Sequence, residues 1–390
     1  MVSGKQLLWI DKRLQDIFNN TQPFGGIHVL VFGDFLQLPP VRGETIYSGF
    51  PSDPARNFRL MDIWHSFKVH KLTQIMRQRD DALFAAALNN MARGTMTDED
   101  IQLFQSRTFP APPAELSTLR NLVRLYPTNA LVDECNSVAI SSMTTEHYIS
   151  IAHDKIEGQG GSSHQRSALL QYAANNSIPY HKTGGLMREL RLQLEARYMI
   201  TVNIDTSDGL VNGSTGCLRS VDLGTPRNSG DASDTQRKPL RIWLELEDER
   251  SGRKQRIKYK KVAEQKGYPA NWTPIETKSV SFNAIRNSRL SIERTQFPVV
   301  VAEAITIHKS QGATFSNVMV DLSKGKVPNR SSLYVACSRA TSASGLFIIK
   351  QTQLTGTPPL GPSEPITVEL NRLDTCRLIP SFMHLRNSER

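Results

Sequence analysis

Apolar residues at Leu7, Ile10, Leu14 and Ile17 recur at the three- and four-residue spacing of one helix face, and Ser3 stands where an N-cap belongs. The pattern predicts a helix over 4–18, broken by Pro23, Gly25 and Gly26. Residues 27–33 are then continuously apolar, the signature of a short strand buried on both faces of a parallel sheet. Two helices are predicted over 80–92 and 97–106, with Gly94 stopping the first and Thr97 opening the second ahead of a run of acids. NLVRLYP predicts another strand, ending at Thr128-Asn129, and a helical pattern follows through Ile140. Residues 154–185 are rich in Gly, Ser, Asn and Gln and predict a long surface loop.

From about Tyr198 the pattern becomes β. RYMITVNID reads as a strand, GLVNGSTG as turn chemistry, and LRIWLEL and QRIKYKKV alternate around DERSGRK as a hairpin would. Residues 225–236 have the composition of a disordered segment. After Phe297 the strand–turn–helix rhythm returns in VVVAEAITIHKSQG, VMVDLS, a strand-like LYVAC and LFIIK, and ITVELNRL near the end reads as helix. The expected organisation is an α/β fold interrupted by a β module of roughly 90 residues. No internal repeat is evident.

Composition changes this little. The 390 residues, 39% hydrophobic and 22% charged, are ordinary for a soluble globular chain of about two or three domains. No run approaches the ~18 apolar residues of a membrane span. The opening MVSGKQLLWIDKRLQDIF is not expected to be a secretory signal, and Asp11 and Asp16 make it a poor transit peptide. Cys135, Cys217, Cys337 and Cys376 are far apart, with no CxxC or Cys/His spacing, which predicts a reduced compartment and no metal site. A formal charge of +10 fits either a solvated basic surface or a polyanion partner such as DNA, RNA or an acidic membrane face, so its location matters.

Four stretches carry candidate chemistry. In GDFLQLPP (33–40) an apolar run ends on Gly33 and Asp34, and Pro39-Pro40 stiffens a loop that holds Gln37 at the carboxyl edge of a sheet. LTQIMRQRD (72–80) presents Arg77, with Gln78 and Arg79 beside it, and LYVACSRA (333–340) presents Arg339. A guanidinium is always charged and grips phosphate oxygens bidentately, although a surface ion pair explains a lone arginine as well. AITIHKSQGATF (304–315) offers Thr306, His308, Lys309, Ser310, Gln311, Gly312 and Thr314: a cation, hydroxyls and a glycine that lets backbone N–H groups approach a phosphate. His308 has no partner at metal-ligand spacing.

In this order and at these spacings the four stretches resemble the third, fourth, fifth and sixth boxes of superfamily 1 helicases, most closely the PIF-type branch that includes Helitron helicase domains. The resemblance runs from Met1 to about residue 350. It implies a fold of RecA-like parallel sheets, the first incomplete, with an inserted SH3-like β subdomain entered at GLVNGSTG (209–216). The implied domains are 1–65, the end of the first RecA-like domain; 66–200 and 297–350, the second; 201–296, the insert; and 351–390, a tail. It further implies ATP and Mg²⁺ as cofactors, single-stranded DNA as partner, and 5′-to-3′ unwinding by a monomer. The setting implied is the nucleus, with mitochondria possible, in repair, telomere maintenance, recombination or Helitron transposition.

Gln37, Arg77 and Arg339 take the catalytic roles in this resemblance. Gly33, Asp34 and Gly312 join them in cofactor binding, and Thr306, His308, Lys309, Ser310, Gln311 and Thr314 contact the DNA backbone. Basic residues Arg256, Lys258 and Lys260, expected on one strand face near Trp243 and Tyr259, add a second nucleic-acid contact; a solvated edge strand guarded by lysines explains them equally. Two of the family's parts do not occur. The sequence contains no GxxxxGK[ST], and no apolar strand ending in Asp-Glu precedes residue 27. The expectation is a chain truncated just after the Walker B acids, inactive alone. The alternatives are a non-catalytic single-stranded nucleic-acid binder, or a decayed relic that does not fold stably.

Overall fold

The computed structural model describes residues 2–41, 43–117, 119, 122–176, 178–224, 238–284, 289–324 and 328–376, so the stretch 225–236 read as disordered lies outside the described residues. The backbone divides into two compact units, Met1–Asn129 with Thr306–Arg390, and Ala130–Ile305.

The first unit opens with the helix Gly4–Phe18, set by a capping box in which the Ser3 hydroxyl accepts from the Gln6 amide and the Gln6 side chain accepts from the Ser3 amide. Asn19, left-handed at φ 47°, ends the helix before the Pro/Gly stretch is reached. Leu7, Phe24, Ile46, Phe50, Leu60, Ile63 and Trp64 form a core between this helix and Pro54–Ser66. The predicted C-terminal helix, Pro365–Thr375, closes on the same place. Its buried Glu369 accepts from Trp64 Nε1 at 2.8 Å and is gripped by both ends of the Arg372 guanidinium at 2.7 and 2.8 Å.

A parallel sheet forms the rest of this unit. Its order is Thr108–Phe109, Leu346–Ile349, Asn317–Asp321, Leu122–Tyr126, with Ala304–Thr306, where the chain re-enters, as the fifth member. Asn317–Asp321 runs parallel to both neighbours, Val318 opposite Leu346 on one side and Val123 on the other. The helices Ala82–Arg93 and Asp98–Ser106 lie within two residues of their predicted spans, capped by Asp81 and Thr97. LYVAC, read as strand-like, is instead the end of the helix Arg330–Cys337. Asn329 caps it by accepting from the Ser332 amide at 2.9 Å, and Leu333, Ala336 and Cys337 turn inward at helical spacing.

The strand predicted over 27–33 is absent. The segment runs without a ladder partner: among the described residues no backbone hydrogen bond engages residues 28–33. Val29 packs on the core, but Leu30 and Phe32 are each 83% exposed. Apolarity and length are those of a buried strand, yet a strand needs a neighbour and none lies beside it here. Unpaired amides next to exposed apolar side chains template association between chains. Leu30→Lys with Phe32→Lys is therefore expected to suppress concentration-dependent association in sedimentation velocity while leaving the melting temperature unchanged; association undiminished by the two lysines would contradict this.

The second unit is mostly antiparallel. A five-stranded sheet runs in the order Val299–Val301, Arg197–Ile200, Thr215–Gly224, Lys238–Leu246, Trp272–Glu276. Tyr198, Ile200, Leu218, Ile242, Leu244 and Phe297 are fully buried in its core. Residues 154–185 are not one loop. They hold the strand His153–Glu157 and the helix Ser163–Ala173, whose Leu169 and Ala173 pack on Leu290 and Ile292. The polar composition concealed a Ser162–Gln165 capping box and a docking face far along the chain.

The predicted hairpin is also overturned. After Lys238–Leu246 the basic run folds as two short helices, Arg253–Lys258 and Lys260–Lys266, before the next strand begins at Trp272. Buried Asp208, remote in sequence, accepts from the Lys254 amide at 2.8 Å and the Gln255 amide at 3.2 Å, which starts the first helix. Arg256, Lys258 and Lys260 therefore do not share a strand face.

Candidate functional site

The loop 33–40 is shaped by Asp34. Its carboxylate accepts from the Leu36 amide at 2.9 Å and the Gln37 side-chain amide at 3.2 Å, while its carbonyl accepts from the Gln37 backbone N–H. Phe35 anchors the loop edge-on against Tyr47 and Trp64, at 4.9 and 5.8 Å between ring centres. Leu38 is buried below, which leaves Gln37 half-exposed at the tip. Gly33 is exposed in open space where a Cβ would meet nothing, so the local packing alone does not demand glycine there.

Arg77 precedes the Asp81 cap of Ala82–Arg93. Its Nε donates to Thr314 Oγ1 at 2.8 Å and its Nη1 to the Ser338 carbonyl at 3.0 Å. Gln78 is buried beside it and donates to the Ser338 and Ala340 carbonyls at 3.2 and 2.7 Å, tying the 77–80 turn to the end of Arg330–Cys337. Arg79 points away, paired with Asp80 on the surface.

Arg339 lies two residues past that helix and is 1% exposed. It is held by three donors: Nε to the Val335 carbonyl, Nη1 to the Ala313 carbonyl and Nη2 to Ser338 Oγ. Burial first, and then the neighbouring Arg77 charge, bring its pKa down to about 10, against the opposing pull of Tyr334 and Asp34. Burial also lowers Arg77. Two guanidiniums thus share a partly dry site with one nearby carboxylate, an arrangement that a bound anion would relieve.

The 304–315 segment meets the same place. Gln311 Nε2 donates to Gln37 Oε1 at 3.3 Å, and Thr314 takes the Arg77 contact. His308, Lys309, Gly312 and Thr314 are exposed, and Gly312 adopts φ +89°, a conformation that favours glycine. Thr306 and Ser310 are different. Both are buried, with Thr306 Oγ1 accepting from the Lys309 amide and the Ser310 hydroxyl donating to the Ile307 carbonyl. They shape the turn rather than offer free hydroxyls to a ligand.

Gly33, Asp34, Gln37, Arg77, Gly312, Thr314 and Arg339, spread over 300 residues of sequence, all belong to the first unit, and direct contacts link most of them. Tyr334 is the member that sequence reading missed. Its hydroxyl lies 3.5 Å from Asp34 Oδ2, and burial, with help from that carboxylate, raises its pKa to about 12. Read as part of a strand it had no defined direction. The Asn329 cap and the Leu333/Ala336/Cys337 spacing were the signals for a helix that sets Tyr334 toward the loop.

The basic set belongs to the second unit, where its contacts are local. Arg256 is a structural residue, donating to the Ser251 and Glu249 carbonyls and to Thr273 Oγ1. Lys258 lies 5.0 Å over the Tyr259 ring, and Lys260 reaches Glu264 at 3.7 Å. Trp243, expected as a stacking surface, is buried in the sheet at 1% exposure. Among the described residues no group of three or more His, Cys, Asp or Glu side chains is placed to hold a metal ion.

Comparison with known proteins agrees with the order of these segments. A PIF1-like helicase family profile matches residues 1–101, and a UvrD-like helicase C-terminal domain profile matches residues 296–347. The chain is 29% identical over 375 residues to the ATP-dependent DNA helicase PIF1 of Emericella nidulans, covering 90% of this chain and 46% of the relative. It is 26% identical over 378 residues to the Pif1 of Psychrobacter sp., covering 91% and 52%. The chain thus spans about half the length of the curated relatives it matches. In fold it is similar to the crystal structure of Pif1 helicase from Candida albicans, with TM-score 0.65 at 23% identity over 95% of this chain and 73% of that one. It is also similar to a Bacteroides Pif1 in complex with ADP-AlF3 and single-stranded DNA, with TM-score 0.59 at 22% identity over 95% and 72%. With a RecA-like α/β fold, helicase profiles at both ends of the matched region and four motif segments drawn largely into one cluster, the chain is similar in sequence and fold to PIF1-type superfamily 1 helicases.

Proposed function

We propose that this chain is the C-terminal portion of an ATP-dependent 5′-to-3′ DNA helicase, supplying the residues that sense the terminal phosphate of ATP and grip single-stranded DNA. The observation that carries the reading is the Arg77–Arg339 pair beside Gln37, with Gln311 and Thr314 of the 304–315 segment in direct contact with Gln37 and Arg77.

Each residue then has a defined task. Arg77, less buried than Arg339, reaches the transferring phosphoryl group and stabilises its developing charge. Arg339 reinforces the positive field and fixes the Val335 and Ala313 carbonyls and the Ser338 hydroxyl. Gln37 reads the terminal phosphate or its water, and its bond to Gln311 carries that state toward His308 and Lys309, which hold the DNA backbone without reading sequence. The residues present suit the phosphate end of a nucleotide. They do not suit Mg²⁺: among the described residues no group of three or more His, Cys, Asp or Glu side chains could hold a metal ion, so no step is assigned through it. The likeness to PIF1 helicases supports a nuclear setting, with mitochondria as the alternative, and a role in repair or recombination.

Because the sequence has no P-loop, the β- and γ-phosphates lack their backbone cradle here. The 390-residue chain alone is expected to hydrolyse no ATP, with or without single-stranded DNA, while binding single strands in a salt-dependent manner. Phosphate release together with fluorescence anisotropy on one preparation tests both; DNA-stimulated turnover by the chain alone would overturn the division of labour. Should the DNA binding stand without any response to nucleotide even when a P-loop domain is joined to it, the non-catalytic single-strand binder is the better reading.

A further inference from the structure

The helix pair Arg253–Lys258 and Lys260–Lys266 carries a dense run of positive charge, and its contacts sort that charge into two groups. Arg256 is spent on the Ser251 and Glu249 carbonyls, Lys254 reaches Ser207 Oγ, and Lys266 pairs with the buried Asp222. Lys260 faces Glu264. Arg253 and Lys261 are exposed and make no hydrogen bond or ion pair among the described residues, and exposed Lys258 makes no hydrogen bond or close ion pair, with the Tyr259 ring beneath it and the Glu276 carboxylate within reach of its charge. Ile257, between them, is 66% exposed. Internal structure thus accounts for the first group and leaves Arg253, Lys258 and Lys261 as outward cations on short rigid helices.

The aromatic side chains nearby settle what kind of polyanion such a surface fits. Binding of single strands relies on open aromatic faces on which bases stack. The Tyr259 ring is covered by the Arg241 guanidinium at 4.2 Å and by Lys258 at 5.0 Å. Trp243 is buried, and Tyr268 packs between Trp243 and Trp272. Outward cations beside a covered Tyr259 ring and a buried Trp243 suit the regular phosphate array of a duplex, which offers charge and shape with its bases already stacked.

We propose that the 253–266 helix pair is a duplex-DNA docking surface, gripping the phosphate backbone through Arg253, Lys258 and Lys261, separate from the single-strand contacts of residues 308–314. It rests on the reading of the chain as a DNA helicase portion. The test uses the full 390-residue chain, a short blunt DNA duplex and a single strand of equal length, in anisotropy titrations across a salt series. For Arg253→Gln/Lys258→Gln/Lys261→Gln, duplex affinity should fall about tenfold or more and the slope of log K against log salt should flatten by up to ~2.7, about 0.9 per lost phosphate contact. Single-strand affinity should stay within twofold. The charge-conserving variant Arg253→Lys/Lys258→Arg/Lys261→Arg should retain duplex binding. An unchanged duplex slope, an equal loss on both DNAs, or loss in the charge-conserving variant would overturn the duplex surface. A chain that binds the duplex through these residues but no single strand would instead count against the assignment of residues 308–314 and leave this surface standing.

Discussion

Replacing Arg294 by leucine is expected to cost the 130–305 unit ~3–5 kcal/mol, the range for breaking one side of a buried ion pair. Arg294 is 1% exposed and forks onto Asp154 at 2.7 and 3.0 Å. Its remaining donors satisfy the Ala173 carbonyl at 2.6 Å and the Leu186 carbonyl at 3.3 Å. One side chain therefore ties the helix Ser163–Ala173 and the 183–186 turn to the strand pair His153–Glu157 and Ser291–Gln296. Removing it leaves the Asp154 carboxylate buried with only Arg188 at 3.8 Å and the Ala173 carbonyl without this donor, while the Leu186 carbonyl keeps the Thr183 hydroxyl at 2.6 Å. Urea unfolding followed by circular dichroism reads the loss. Asp154→Leu added to Arg294→Leu should recover much of it, because the uncompensated buried charge is then gone. A single-variant loss under ~1 kcal/mol would show that the pair is solvated in solution.

The second large effect concerns turnover. In a chimera joining the upstream portion of the Emericella nidulans relative to this chain, Arg77→Ala is expected to lower DNA-stimulated ATP hydrolysis by ~10³-fold or more, as removal of an arginine finger does. Single-strand affinity should change no more than a few-fold, because the group acts on phosphoryl charge rather than on DNA. Arg77→Lys should not rescue, since an ammonium ion lacks the flat fork that reaches Thr314 and the Ser338 carbonyl together. Arg339→Ala should lose turnover too, but with a lowered melting temperature, because three internal acceptors lose their donor. Normal turnover in the Arg77 variants would remove it from the site.

The motif segments were legible because their chemistry is local: a glycine, a carboxylate and an amide ahead of two prolines, or a strand running into HKSQG, limits what a loop can do. Their convergence was legible only through their order along the chain. What failed depends on distant partners. Residues 27–33 have the apolarity of a strand, but strand formation requires a neighbour, and sequence reports composition rather than pairing. The basic run 253–266 alternates like a strand, yet Asp208 caps it into a helix from a position no local pattern names. Arg256 looked like a ligand-binding cation and is a structural one, because the carbonyls it serves belong to a turn formed by folding. LYVAC failed for a smaller reason: its β-favouring residues outweighed the Asn329 cap, and Tyr334 was lost with it.

In the proposed helicase, nucleotide state reaches the DNA-holding segment through the Gln37–Gln311 contact. The measurement is the single-strand affinity of the chimera with and without a non-hydrolysable ATP analogue, in the unaltered protein and in Gln37→Ala. The analogue should shift affinity several-fold in the former, and the shift should vanish in the latter while analogue binding persists. An equal shift in both proteins would contradict the claim and leave Gln37 a polar residue in an ordinary loop.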